Sequence, residues 1–208
     1  MRTPSPAGNL PGMSRLLGPR LLAVLIATAL SWAVVAPAPV VAKEADPRWV
    51  FFTKDKTRYQ SPWYGKAHRI MIPFGCTRAP YYAPDPRCKK DRGFHHGLDL
   101  AMPCGTKLVS DRYAWVVRKG DLGAAYGVNP IRLRNYTQEW DLVIGHTRRV
   151  FVEPGDRVKP GTQLGRVSDS AAPDGCHLHF EKRALEGGLA SAVKPRKMLE
   201  LKPKPKEN

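Results

Sequence analysis

The chain is poor in acids, lacks any sustained helical hydrophobic pattern, and has no regular glycine spacing. Eighteen Asp and Glu stand against 34 Lys and Arg, a formal net charge of +16 with a pI near 10.0. That imbalance excludes an acidic solvating protein and points to anionic partners: nucleic acid, an acidic membrane face, or a wall polymer. Eighteen Gly and 20 Pro in 208 residues exclude a helical bundle, because both are costly inside helices and both punctuate turns. Their irregular spacing excludes collagen. Charged residues at 25% and apolar residues at 42% are ordinary globular usage, which excludes a wholly disordered chain. No H-E-x-x-H occurs, so a helix-borne zincin site is excluded. A loop-rich β protein of one modest domain plus appendages is what remains.

The first 42 residues read as an export signal. Arg2, Arg15 and Arg20 precede an apolar run of sixteen residues, Leu21 to Ala36, and no acid occurs before Glu44. The run falls short of the roughly 20 residues that span a bilayer comfortably. Small residues at Val40 and Ala42 place the expected cleavage after Ala42; the alternative is an uncleaved membrane anchor. Cleavage removes three Arg and no acids, leaving +13 on the remaining chain. The basic character therefore belongs to the exported part, which favours wall polymers or anionic lipid over nucleic acid. No stable membrane span is expected after cleavage.

All four cysteines lie in this part, an even number suited to an oxidising compartment. Cys76 and Cys88 bracket a Pro- and Tyr-rich stretch without periodicity. A local disulfide is expected there, which leaves Cys104 for Cys176.

Four divisions follow: the signal, 1–42; an aromatic and basic lead-in, 43–70; a folded domain, 71–193; and a basic tail, 194–208. The lead-in mixes Trp49, Phe51, Phe52, Tyr59, Trp63 and Tyr64 with Lys and Arg and is expected to pack on the domain. Between Lys107 and Arg183, short β-branched runs alternate with Gly or Pro every eight to twelve residues, the pattern of an antiparallel sheet. Within it Val152, Gly155, Val158, Gly161 and Leu164 recur every third residue. Each Gly suits a tight turn while each apolar residue drops into the core. Lipoyl-type carrier sandwiches share such turns, but the lysine tip they require is missing. The tail carries six basic residues, two acids and three prolines, and is expected to be an extended, disordered arm.

The histidines carry the chemistry. In G-F-H-H-G-L-D-L, His95 and Asp99 are four apart with Gly97 between them. A Gly-permitted turn into a strand can bring His95 back over Asp99. In C-H-L-H-F-E, His177 and His179 are two apart; on a strand both rings share one face, with their backbones about 6.5–7 Å apart. His146 ends an apolar strand in D-L-V-I-G-H. Imidazole and carboxylate are both good zinc ligands, and three of them would leave a fourth position for water, the layout of a catalytic site.

The motifs H-H-G-L-D-L-A-M-P-C-G-T, A-Y-G, V-I-G-H, V-E-P-G-D-R-V-K-P-G-T-Q-L-G and G-C-H-L-H-F-E, in this order over about residues 93–183, resemble the lysostaphin/LytM-type zinc metalloendopeptidases. The resemblance implies a mostly β fold, a small antiparallel sheet or sandwich with a substrate groove. It implies one Zn²⁺ per chain on His95, Asp99 and His179, with His146 and His177 assisting catalysis in roles left open between them. It also implies a secreted, wall-associated monomer that hydrolyses peptide bonds of bacterial peptidoglycan. Some relatives have lost the ligands and only bind walls or activate other hydrolases, an alternative that all five retained residues argue against. His68 and His96 match no functional position. Cys176, directly before H-x-H, and Cys104 depart from the usual pattern. A disulfide between them would tie the Asp99 strand to the His177/His179 strand.

Overall fold

The computed structural model describes residues 45–120 and 122–204; the expected signal lies outside them. Strands follow one another with short turns: β1 (Arg58–Ser61), β2 (Tyr64–Arg69), β3 (Gly75–Thr77), β4 (Gly93–His95), β5 (Leu98–Ala101), β6 (Lys107–Val109) and β7 (Ala114–Lys119). Then come β8 (Ile131–Asn135), β9 (Trp140–Gly145), β10 (Thr147–Arg148), β11 (Arg157–Val158), β12 (Gln163–Val167), β13 (His177–Ala184) and β14 (Lys202–Pro203). Among the described residues the only helical pieces are 3-10 turns of three residues each, as the Gly and Pro content requires.

The main sheet has six strands in the order β11-β7-β8-β9-β13-β5, antiparallel throughout. Smaller sheets, β14-β1-β2 and β10-β12-β6, and the β3-β4 pair complete the fold. Alternation along β13 divides its two faces. Leu178 and Phe180 are buried in the main apolar cluster with Leu100, Leu142, Ile144 and Leu164, and Phe180 meets Trp63 edge to face at 5.0 Å. His177, His179 and Glu181 occupy the other face. Val152, Val158 and Leu164 are buried, while Gly155 and Gly161 take the left-handed backbone, φ 97° and 86°. The three-residue recurrence therefore has the physical basis that the sequence indicated.

The lead-in packs on the domain, and β1 and β2 bury Tyr59, Trp63 and Tyr64 in the same cluster as the main sheet. One expectation needs correction: the tail is not a disordered arm over residues 194–204. Pro195–Lys197 form a turn, Leu199 is buried, and β14 pairs with β1. Leu199 with its partly buried neighbours Met198 and Leu201 supplies an apolar anchor that the surrounding charge conceals.

Both disulfides form as expected. Cys76–Cys88 closes the loop between β3 and β4, and Cys104–Cys176 joins the turn after β5 to the residue before β13, with Cα atoms 5.5 and 5.2 Å apart.

Candidate active site

The site is assembled at the end of the main sheet where β5, β13 and β9 lie side by side. Register sets His179 opposite Asp99 on one flank and opposite Gly145 on the other. His95 comes from β4, which pairs with β3 rather than β5. The turn at His96 and Gly97 brings its ring back, so that Nε2 lies 3.4 Å from Asp99 Oδ1. Gly97 is required sterically, because a Cβ there would stand 2.6 Å from the His179 ring. On the other side a Cβ on Gly145 would stand 3.3 Å from His179 Cβ, a tighter contact than usual but a milder one than at Gly97.

His95, Asp99 and His179 are buried, and each offers one ligand atom, all within 4.8 Å of one another. His95 Nε2 and His179 Nδ1 are 3.3 Å apart, and His179 Nδ1 is 2.8 Å from Asp99 Oδ1. A carbonyl oxygen can only accept, so the outer contacts fix the tautomers. His95 Nδ1–H donates to Pro73 O at 3.2 Å, His146 Nδ1–H to Ser170 O at 2.7 Å, and His177 Nδ1–H to Gly175 O at 2.9 Å. Each of these rings keeps a bare Nε2. On His179 the arrangement is reversed: Nε2 faces Glu181 Oε1 at 2.9 Å, which directs Nδ1 at Asp99.

These groups lie close enough to perturb one another's ionisation. Burial opposes ionisation of Asp99, but His95, His177 and His179 outweigh it and hold the carboxyl well below its ordinary range. Burial would likewise push His179 down, yet Asp99 and Glu181 raise it to about 10. His146 behaves oppositely: burial, then the neighbouring His177 and His179, lower it to about 3, so it is neutral at pH 7. The His146 and His177 rings lie 4.4 Å apart between centroids. His146 also sits in the left-handed region, φ 51°, a conformation that costs a non-glycine residue energy and clusters at functional sites.

A groove of about 440 Å³ opens over these groups, lined by Tyr81, Tyr82, Phe94, Tyr126 and Leu189 as well as His95, His146 and His179. Tyr81 and Tyr82 come from the loop stapled by Cys76–Cys88. Three polar residues escaped the sequence reasoning. Tyr126 stands edge-on to His179 at 5.6 Å and donates its hydroxyl to Glu181 Oε1 at 2.9 Å. Arg183 donates to Glu181 Oε2 at 2.6 Å and to the Tyr126 oxygen at 2.7 Å. Glu181 and Arg183 were discoverable, since they continue the alternation of H-x-H on one strand face; Tyr126 was marked only by A-Y-G. His96 lies at the groove, where Arg87 donates to its Nε2 at 3.0 Å. His68 is buried in β2, away from the cluster.

Comparison with known proteins agrees with this geometry. Residues 93–194 match the description "Peptidase family M23". The structure of LytU is similar at 25% identity with a TM-score of 0.54, over 65% of this chain and 87% of that one. The catalytic domain of lysostaphin from Staphylococcus simulans gives 23% identity and 0.52, over 64% and 92%. A second structure of the antimicrobial peptidase lysostaphin from Staphylococcus simulans gives 20% and 0.54, over 71% and 55%. Motif order, sheet topology and family match coincide on the same residues, and the chain is a member of peptidase family M23, of the lysostaphin/LytM type, through its 93–194 domain.

Proposed function

We propose that the protein is a secreted zinc metalloendopeptidase that hydrolyses peptide bonds of bacterial peptidoglycan. The observation that carries this reading is the convergence of His95 Nε2, Asp99 Oδ1 and His179 Nδ1 beneath a groove that also holds His146. The donor set fits the metal: two imidazoles and one carboxylate, from His95, His179 and Asp99, would hold it, and both rings are oriented by contacts on their far nitrogens. Zinc bound there would polarise the scissile carbonyl and lower the pKa of a coordinated water to about 7.

The remaining steps belong to the chain's own side chains. His146, neutral and with a bare Nε2, is able to accept a proton from the attacking water; His177 Nε2, on the same side, is able to hydrogen-bond the developing oxyanion when protonated, and the two roles can be exchanged. Carbonyl contacts at Ser170 and Gly175 fix both rings before substrate arrives, which removes an ordering cost from the reaction. One chain supplies every group, so a monomer with one zinc suffices. The disulfides fit an oxidising compartment outside the cytoplasm, and the positive charge fits an anionic wall rather than nucleic acid.

The test is incubation of the full chain with purified peptidoglycan, with and without a chelator, followed by mass analysis of released fragments. New amino termini that vanish with chelator and return with zinc are expected. Full activity in an Asp99→Ala protein would defeat the ligand assignment. Wall binding with no released peptide would instead identify a silent binding or hydrolase-activating module.

A further inference from the structure

A carboxylate stands beside His177 that the reaction above does not use. Asp174 lies in the turn leading into β13 and is 3% exposed. Its Oδ1 is 3.5 Å from His177 Nδ1, but that N–H is already committed to Gly175 O at 2.9 Å. Its Oδ2 is buried and meets no hydrogen-bond partner. Leaving such an oxygen unpaired is costly, and an ionised one more so. Burial, with Asp99 adding in the same direction, raises its pKa although His177 pulls it down. Other nearby acids are differently placed: Asp46 and Asp169 are both paired with Arg48.

Asp174 also lines a small cavity of about 120 Å³, whose walls include Ile72, Tyr81, Tyr82, Ala125 and Ala172 together with Asp99, His146 and His177. Tyr81, Tyr82, Ala125 and His146 border both this cavity and the main groove, so the small space is a side chamber of the large one. Its apolar walls suit a short aliphatic stem, it meets the candidate catalytic cluster at Asp99, His146 and His177, and Asp174 Oδ2 is the acceptor there that lacks a donor. A neutral hydroxyl would partner the oxygen but leave the charge uncompensated, and a guanidinium needs a wider fork.

We propose that this chamber is a subsite for a primary ammonium group on the peptide substrate, with Asp174 as its counter-charge. The ammonium belongs either to a diamino-acid side chain or to a free peptide amino terminus. The inference rests on the proposed peptidase function only for the statement that the ligand is a peptide. A substrate ammonium donates to Oδ2, its stem covers the apolar wall, and the bonded chain is held against His177.

Two kinds of matched pairs of short synthetic peptides test this with the full chain. One pair carries lysine or ornithine against norleucine at each position in turn; the other carries a free against an acetylated amino terminus. Binding is measured by calorimetry and cleavage by mass analysis, in parallel. The expected result is tenfold or tighter binding of one ammonium-bearing peptide over its neutral partner, the scale of a charge-assisted hydrogen bond. That preference should disappear in Asp174→Asn, and the pair that shows it identifies the source of the amine. Equal binding of both members by the unaltered protein, or no binding of any ammonium peptide, overturns the subsite without recourse to a variant. A preference that survives Asp174→Asn overturns it too. Uniform weakening of all peptides in that variant would assign Asp174 to orienting His177 instead. Preferential binding without cleavage would leave the subsite standing and defeat the peptidase reading.

Discussion

The floor and the wall of the groove are built by different physics. The floor is β5, β13 and β9, where register places Asp99, His179 and Gly145 in one row and backbone carbonyls lock the neighbouring imidazoles. The wall holding Tyr81 and Tyr82 has almost no regular structure and is held by Cys76–Cys88. A sheet fixes side chains to a fraction of an ångström because every neighbour is hydrogen-bonded and packed; a stapled loop fixes only its ends. Chemistry should therefore depend on the floor, and substrate choice on the wall.

The largest expected effect tests that division directly. His179→Ala should lower the rate of peptide release about a thousandfold or more, equal to about 4 kcal/mol of barrier, with the circular-dichroism spectrum retained. Tyr81→Ala, on the wall and 45% exposed, should leave the turnover rate within about tenfold and act mainly on KM. An equal loss of turnover in both proteins would break the comparison.

The disulfides sharpen it in terms of stability. Cys104–Cys176 spans 72 residues and anchors the floor, while Cys76–Cys88 spans 12 and closes the wall. By loop-closure entropy, removing the first should cost about 4 kcal/mol and the second about 3. Urea melts of the paired Cys→Ala proteins measure both. The first pair should lower activity with stability, because Cys176 adjoins His177; the second should change KM more than melting.

How much of this was legible in the sequence follows the same line. That His95, Asp99, His177 and His179 can meet was legible from local rules, strand alternation and a Gly turn, whereas their division into ligands and assisting groups, and the inclusion of His146, came from the family resemblance. The placement of Asp174 and Tyr81 beside the site was not legible, since both lie in turns whose course is set by tertiary contacts. The aromatics of β1 and β2 showed no period because β1 carries a register shift between Tyr59 and Ser61 and the strands are short. The tail misled for another reason: a charge count weighs every residue equally, whereas one buried Leu199 is enough to hold a short segment.

At the edge of the floor, Ile70, the residue after β2, bridges Leu100 of β5, and His68 tests that support. Burial, chiefly, lowers its pKa from 6.5 to about 4. Between those values the unfolded chain binds a proton that the folded chain excludes, so stability is full above pH 6.5 and falls as pH drops towards 4. The loss approaches about 3 kcal/mol. In His68→Asn the deficit relative to the parent protein should shrink from pH 7.5 to pH 4.5 in paired thermal melts. A deficit independent of pH would mean that the imidazole is not the titrating group.

The smallest effect concerns Glu181, which belongs to the floor but never faces the metal position. Its Oε1 accepts from His179 and Tyr126, and its Oε2 from Arg183. Burial opposes its ionisation, but His179, Arg183 and Tyr126 outweigh that and keep the carboxyl below its ordinary range. A carboxylate on the far nitrogen makes the near one more basic and fixes the ring. Glu181→Gln preserves the shape and removes the charge, so zinc affinity or turnover should fall about 10- to 100-fold while the peptide preference set by the wall is unchanged. Zinc titration against a competing chelator, with KM and kcat measured on the same preparation, separates the two. A shift in KM alone would transfer Glu181 to the wall and show that the floor extends no further than the residues that touch the metal position.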